Sequence, residues 1–320
     1  MESSDFSQLI TELTADFKLP EASRSYVRLR ILEMKAKCEE EYDAGVSRRT
    51  FAEVEQLAIR QGKPLLASRA SGEQGILAFT LGDIAEASSR VKRAYAVAKY
   101  LGDPAAHVRY AEMIGIGMGH LGRPKQALKF LDEAINTQKE HPEVAKPIVA
   151  YVGEIDALSQ LGQDKDALAM AERVIAIPRK NKLYGELQSL LTSRSEVLSK
   201  VGKPNEAIAG YEEALGYARM LKAWRAISYT DAKLAAAFEQ TDQLPKALTA
   251  IDEAISANQQ NPQEMILVPE NLAIKARIRK KMGYPGEAEY LYNKGASVFG
   301  RYVGARPNRR NRTFTAHRIE

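Results

Sequence analysis

The chain has one cysteine, one tryptophan and four histidines in 320 residues. Cys38 alone cannot form an internal disulfide, and the glutamates that follow it in KAKCEEEYD disfavour a thiolate, so it reads as an inert helix residue. His107, His120, His141 and His317 never pair at i+3 or i+4, nor with the cysteine, which excludes a metal site of the usual spacing. No apolar run is long enough to span a bilayer. The start, MESSDFSQLITELTADF, is acidic and has no signal-peptide core, so a cytoplasmic location and no membrane partner are expected. No segment shows sustained β-type alternation. No P-loop, paired-carboxylate or Ser-His-Asp pattern is present, so neither an enzyme nor a cofactor is expected.

Lysine plus arginine exceed aspartate plus glutamate by five, and that excess sits in one place. The stretch RYVGARPNRRNRTFTAHRIE carries six arginines and one glutamate, so residues 1–300 are neutral. Residues 301–320 have no helical period and are expected to be a disordered basic tail. Its arginines, Arg306, Arg309, Arg310 and Arg312 among them, suit three uses: a solvated end or linker, contact with nucleic acid or another anionic surface, or a return into an acidic groove.

What the chain has in abundance is repetition. LGRPKQALKFLDEAI begins at Leu121; LGQDKDALAMAERVI, VGKPNEAIAGYEEAL and TDQLPKALTAIDEAI begin at Leu161, Val201 and Thr241. LGDIAEASSRVKRAY begins at Leu81, and MGYPGEAEYLYNKGA at Met282, one residue late. Self-similarity at a fixed period of this size means a stack of helix pairs. Gly82, Gly122, Gly162, Gly202 and Gly283 close a helix, and Asp242 replaces glycine in one copy. Five residues on comes Ala87, Ala127, Ala167, Ala207, Ala247 and Ala288 without exception. Four further stands Val91, Leu131, Ala171, Tyr211, Ile251 and Tyr292, and three beyond that Ala94, Ala134, Val174, Ala214, Ala254 and Gly295, small or nearly so. Offsets of four and three share one helical face. Seven residues before each turn residue lie Gly75, Gly115, Ile155, Ser195, Ala235 and Ala276, mostly small, on a preceding first helix. The apparent G-x-G-x-x-G from Gly117 to Gly122 closes a helix instead of opening one, so it is no dinucleotide site.

Small, turn, small, large, small is the pattern of the tetratricopeptide repeat, and the chain resembles that family from about residue 64 to 300. The period of forty exceeds the usual ~34. In this it resembles kinesin light chains and MalT-type bacterial regulators. The resemblance implies an all-α, right-handed superhelical solenoid of antiparallel helix pairs, with about six clear repeats. A degenerate N-terminal pair over residues 21–63 is expected as a cap, where Lys35 and Ser47 occupy positions usually small. Residues 1–20 form an N-terminal segment with a short helix from Asp5 to Phe17.

The family's grooves are lined by the first helices and bind peptides or partner helices. Counting from each small position maps the lining onto Arg69, Arg109, Glu112, Asp156, Thr192, Glu196, Tyr229, Glu239, Glu270, Arg277 and Lys280, with Phe79, Ile116, Val149, Val152, Ser159 and Ser199 beside them. The cations that clamp chaperone C-termini in other members are missing. Glu112, Asp156 and Glu196 recur one repeat apart and favour a basic or neutral protein partner. The expected function is a non-catalytic interaction module or scaffold. The alternatives are a ligand-sensing regulatory domain of the MalT-like kind, and nucleic-acid binding through the tail. The sequence sets no oligomeric state.

Overall fold

A computed structural model describes residues 20–40, 43–81, 83–260 and 267–304. The described residues are all-α and form fourteen helices: α1 Glu21–Glu40, α2 Ala44–Arg60, α3 Pro64–Thr80, α4 Ile84–Leu101, α5 Pro104–His120, α6 Pro124–Glu140, α7 Ile148–Gln160, α8 Asp164–Asn181, α9 Tyr184–Lys200, α10 Pro204–Met220, α11 Trp224–Gln240, α12 Leu244–Gln260, α13 Val268–Lys281 and α14 Pro285–Gly304. They group into two compact units, Met1–Ala226 and Ile227–Glu320.

Local chemistry sets the helix ends. Gly122, Gly162, Gly202 and Gly283 take positive φ at the turns inside the repeats, and Asp242 takes the same conformation at φ 58°. Proline opens α3, α5, α6 and α10, where its missing N–H is no loss. Asp43, Asp83 and Asp103 accept from the first-turn N–H groups of α2, α4 and α5.

The invariant alanines lie in the core. Ala87, Ala127, Ala167, Ala207, Ala247 and Ala288 are all 4% exposed or less. The larger residue four places on is buried in five copies, from Val91 to Ile251, but Tyr292 is 44% exposed. The reason is positional: no further first helix among the described residues packs on α14. In the degenerate pair the small site lies at Ala36, one residue beyond Lys35, and is fully buried. Ser47 serves as its small partner, its hydroxyl donating 2.7 Å to the Ala36 carbonyl. The apparent nucleotide motif is the last turn of α5, Gly117–His120, followed by the Leu121–Gly122 turn that closes the helix.

Glycine within α5 divides into two kinds. A Cβ on Gly115 would sit 2.6 Å from Leu131, so that glycine is required by packing. A Cβ on Gly117 would meet nothing within 4 Å. Gly117→Ala is therefore expected to stabilise the protein by about 0.5–1 kcal/mol, by lowering the entropy of the unfolded chain. A urea midpoint that stays put or falls would show that the backbone there is held out of ordinary helical geometry.

Candidate functional site: the inner face of the first helices

In the Met1–Ala226 unit the first helices pack on one another: α3 on α5, α5 on α7, and α7 on α9. The second helices are instead bridged by long side chains, such as Arg48 to Glu86, Lys99 to Glu133 and Arg179 to Glu213. Helices close on one side and spread on the other give a curved stack whose inner face belongs to the first helices. Across that face Arg225, in the first turn of α11, lies near enough to His120 to act on it. Desolvation first, and Arg225 second, hold the His120 pKa below its ordinary value. Phe79 stacks on the same imidazole at 6.1 Å.

The polar residues mapped to this face are mostly engaged between repeats. Arg69 donates 2.6 Å to Asp103, the N-cap residue of α5, which is 4% exposed at its side chain. That pairing raises the Arg69 pKa, and Asp103 lies below the usual carboxylate range despite its burial. Arg109 makes two bonds to Glu73 of α3, at 2.6 and 2.5 Å. This forked geometry suits guanidinium and carboxylate, and it raises the Arg109 pKa against the opposing effect of burial. Asp156 accepts from the Ser193 hydroxyl on α9 at 2.5 Å. Thr192 is buried and exchanges hydrogen bonds with Gln188 on its own helix. In the Ile227–Glu320 unit Glu239 is buried between Arg277, at 2.7 Å, and Lys281, at 2.8 Å, which lower its pKa against desolvation. Tyr229 is half-buried under the Lys233 ammonium, and Glu270 and Lys280 are exposed. Apart from the Thr192–Gln188 pair, these bonds join residues 34–42 apart, one repeat to the next.

Glu112 has a particular task. α7 starts late, after the loop HPEVAKP, and its N-cap residue Pro147 has no side-chain oxygen to offer. The Glu112 carboxylate reaches across from α5 and accepts from the Ala150 N–H at 3.0 Å. It thus caps a helix that cannot cap itself, with a negative charge at the positive end of the dipole. Burial nevertheless dominates and pushes its pKa up to about 7. A raised carboxylate pKa contributes stability that is complete below the unfolded value and lost as pH rises through about 7. Glu112→Gln keeps the amide oxygen as acceptor and removes the buried charge. The variant should therefore gain melting temperature over the parent at pH 8 and match it near pH 4.5. Melts that differ equally at both values would show that Glu112 is solvated.

Beside these pairings the inner face carries apolar Ile116, Val149 and Val152, with exposed Asp156, bonded to Ser193, and half-buried Glu196 among them. Val149 is 45% exposed beside the capped α7 start. The tail residues Arg306, Arg309, Arg310 and Arg312 and the helix expected over Asp5–Phe17 lie outside the described residues. No helix among the described residues is long and apolar enough to cross a membrane.

No family model and no curated protein matches the chain. Solved structures do. A Rap protein complexed with competence and sporulation factor is similar at TM-score 0.70 and 12% identity, over 94% of this chain and 81% of that one. The Rap conjugation gene regulator of the plasmid pLS20, in complex with the Phr* peptide, is similar at 0.66 and 13%, over 90% and 78%. BtubC from P. vanneervenii is similar at 0.53 and 17%, over 74% and 97%. At such identities the likeness is one of fold.

Proposed function

We propose that this chain, an all-α repeat protein of the tetratricopeptide type, is a non-catalytic interaction module. Its partner is an extended peptide or a partner helix of neutral or basic character, held on the inner face of the Met1–Ala226 unit. The observation that carries the reading is the pair of exposed or half-exposed valines on α7, Val149 and Val152, next to the Asp156 carboxylate. Apolar anchors with a charge beside them are what a bound segment needs for affinity and register. Arg69, Arg109 and Glu112 already hold one repeat to the next, so they contribute rigidity more than contact. A rigid face lowers the ordering cost of binding.

The Rap structures favour a second reading, in which the bound peptide is a signal and the repeat domain a sensor. Selection of peptides from a random display library on the full chain separates the outcomes. The interaction reading expects neutral or basic sequences with apolar residues that compete for one site at one peptide per chain. Enrichment of acidic sequences, or of none, would contradict it. The sensor reading adds a peptide-dependent change in sedimentation of the purified chain.

A further inference from the structure

A different surface of the Met1–Ala226 unit is built of apolar and basic residues together. It lies on the edge where second helices turn into first helices. The α8–α9 and α10–α11 turns stand side by side there. Tyr184 stacks on Tyr217 with centroids 5.4 Å apart, and a Cβ on Gly185 would lie 3.9 Å from Leu221. The turns expose Leu183 at 39%, Met220 at 56%, Leu221 at 47% and Trp224 at 40%. Large apolar side chains clustered at that exposure on adjacent turns form a contact surface.

The charge is as unusual as the apolarity. Gly62 and Gly102 take positive φ at the earlier turns of this edge. At the two turns of the cluster the same left-handed position is held by Lys182, φ 57°, and Lys222, φ 53°. Lysine is strained there where glycine is not, so the chain accepts strain and places an ammonium at each tip. Lys180 is exposed beside them, and no carboxylate among the described residues lies within ion-pairing distance of the three lysines. Nearby Glu213 is engaged by Arg179 at 2.6 Å, and Glu186 is the remaining acid of the first turn of α9. The occupant should be acidic and amphipathic.

The chain contains such a segment. In residues 1–19 Phe6, Leu9, Ile10, Leu13 and Phe17 follow at offsets of three, four, seven and eleven, one face of a helix. Glu2, Asp5, Glu12 and Asp16 stand against Lys18 alone. Its own copy is badly placed to reach the edge. A helix from Phe6 to Phe17 would be about 18 Å long and residues 18–20 add at most about 10 Å, short of the roughly 32–40 Å that four repeats set between α1 and α9. We infer that the α8–α9 and α10–α11 edge docks the acidic N-terminal segment, residues 1–19, of a second copy of this chain. Such a contact joins two different surfaces, so it extends head to tail unless it closes into a ring.

Trp224 is the sole tryptophan and reports on its own docking site. A synthetic peptide of residues 1–19 is titrated into dilute full chain while Trp224 emission is followed. The expected result is a saturable shift to shorter wavelength, weakened at least tenfold by Lys182→Glu with Lys222→Glu. Peptide carrying Glu12→Lys and Asp16→Lys should recover binding to that variant. In sedimentation velocity the parent chain should associate as concentration rises. Leu9→Asp with Leu13→Asp, in residues outside the repeats, should leave it monomeric with an unchanged melt. No emission response, or a response indifferent to the lysine changes, would overturn the inference. So would a monomer at every concentration, which would mean docking within one chain or none. A response to phosphatidylserine vesicles or to single-stranded DNA, but not to the peptide, would assign the edge to those ligands instead.

Discussion

Tyr110→Ala is expected to lower the unfolding free energy of the Met1–Ala226 unit by about 3–5 kcal/mol, the range for deleting a large buried ring. Tyr110 is 1% exposed. Its ring fills the space that a side chain on Gly72 would otherwise occupy, since a Cβ there would lie 2.3 Å from the ring. Its hydroxyl donates to the Arg69 carbonyl at 3.0 Å, and burial pushes the phenol pKa up. One side chain thus joins α5 to α3 by packing and by a hydrogen bond. Tyr110→Phe keeps the packing and should cost only about 1 kcal/mol. Gly72→Ala should be destabilising in the parent and close to neutral beside Tyr110→Ala, because the two positions share one space. Urea denaturation of the four proteins measures the coupling; additive effects would mean that the ring does not rest on the glycine.

The period of forty makes the helix pairs, their turns and the buried alanines legible in the sequence alone. A helix-closing glycine and a small residue five places later are local features, and their chemistry does not depend on what lies across the stack. The inter-repeat bonds were not legible in the same way. Arg109 and Glu112 both map to the inner face, yet one forks onto Glu73 behind it and the other caps α7 ahead of it. Which neighbour a side chain meets depends on the rotation between repeats, and that is not written in the period. The late start of α7 is a further case, because HPEVAKP had to be threaded before Ala150 could be seen to lack a cap. The exposed edge was hidden for another reason. Leu183, Met220 and Leu221 read as ordinary apolar members of helix ends, and only the geometry shows them uncovered.

Asp156→Lys together with Glu196→Lys is expected to weaken binding of a selected neutral or basic peptide at least a hundredfold, equivalent to about 2.7 kcal/mol. Both residues sit on successive first helices, α7 and α9, that pack on one another. Reversal places two ammonium groups where a basic ligand runs and adds repulsion to the lost attraction. Glu112 is left unchanged in this variant, since its carboxylate caps α7 and its loss would confuse folding with binding. The helical signal should stay near the parent value, while loss of the Ser193–Asp156 bond lowers stability by about 0.5–1.5 kcal/mol, too little to unfold the chain. Isothermal titration at two salt concentrations checks the origin of the effect, because an electrostatic contribution shrinks as salt rises. Unchanged affinity in the double variant would remove the acidic stripe from the site.

Photo-crosslinking of a selected peptide that carries a diazirine at its apolar anchor, followed by mass-spectrometric mapping of the attached residues, locates the ligand. Adducts are expected on α5, α7 and α9, at Ile116, Val149 and Val152 and their neighbours. Adducts confined to the second helices, or to the α8–α9 and α10–α11 turns, would contradict that placement.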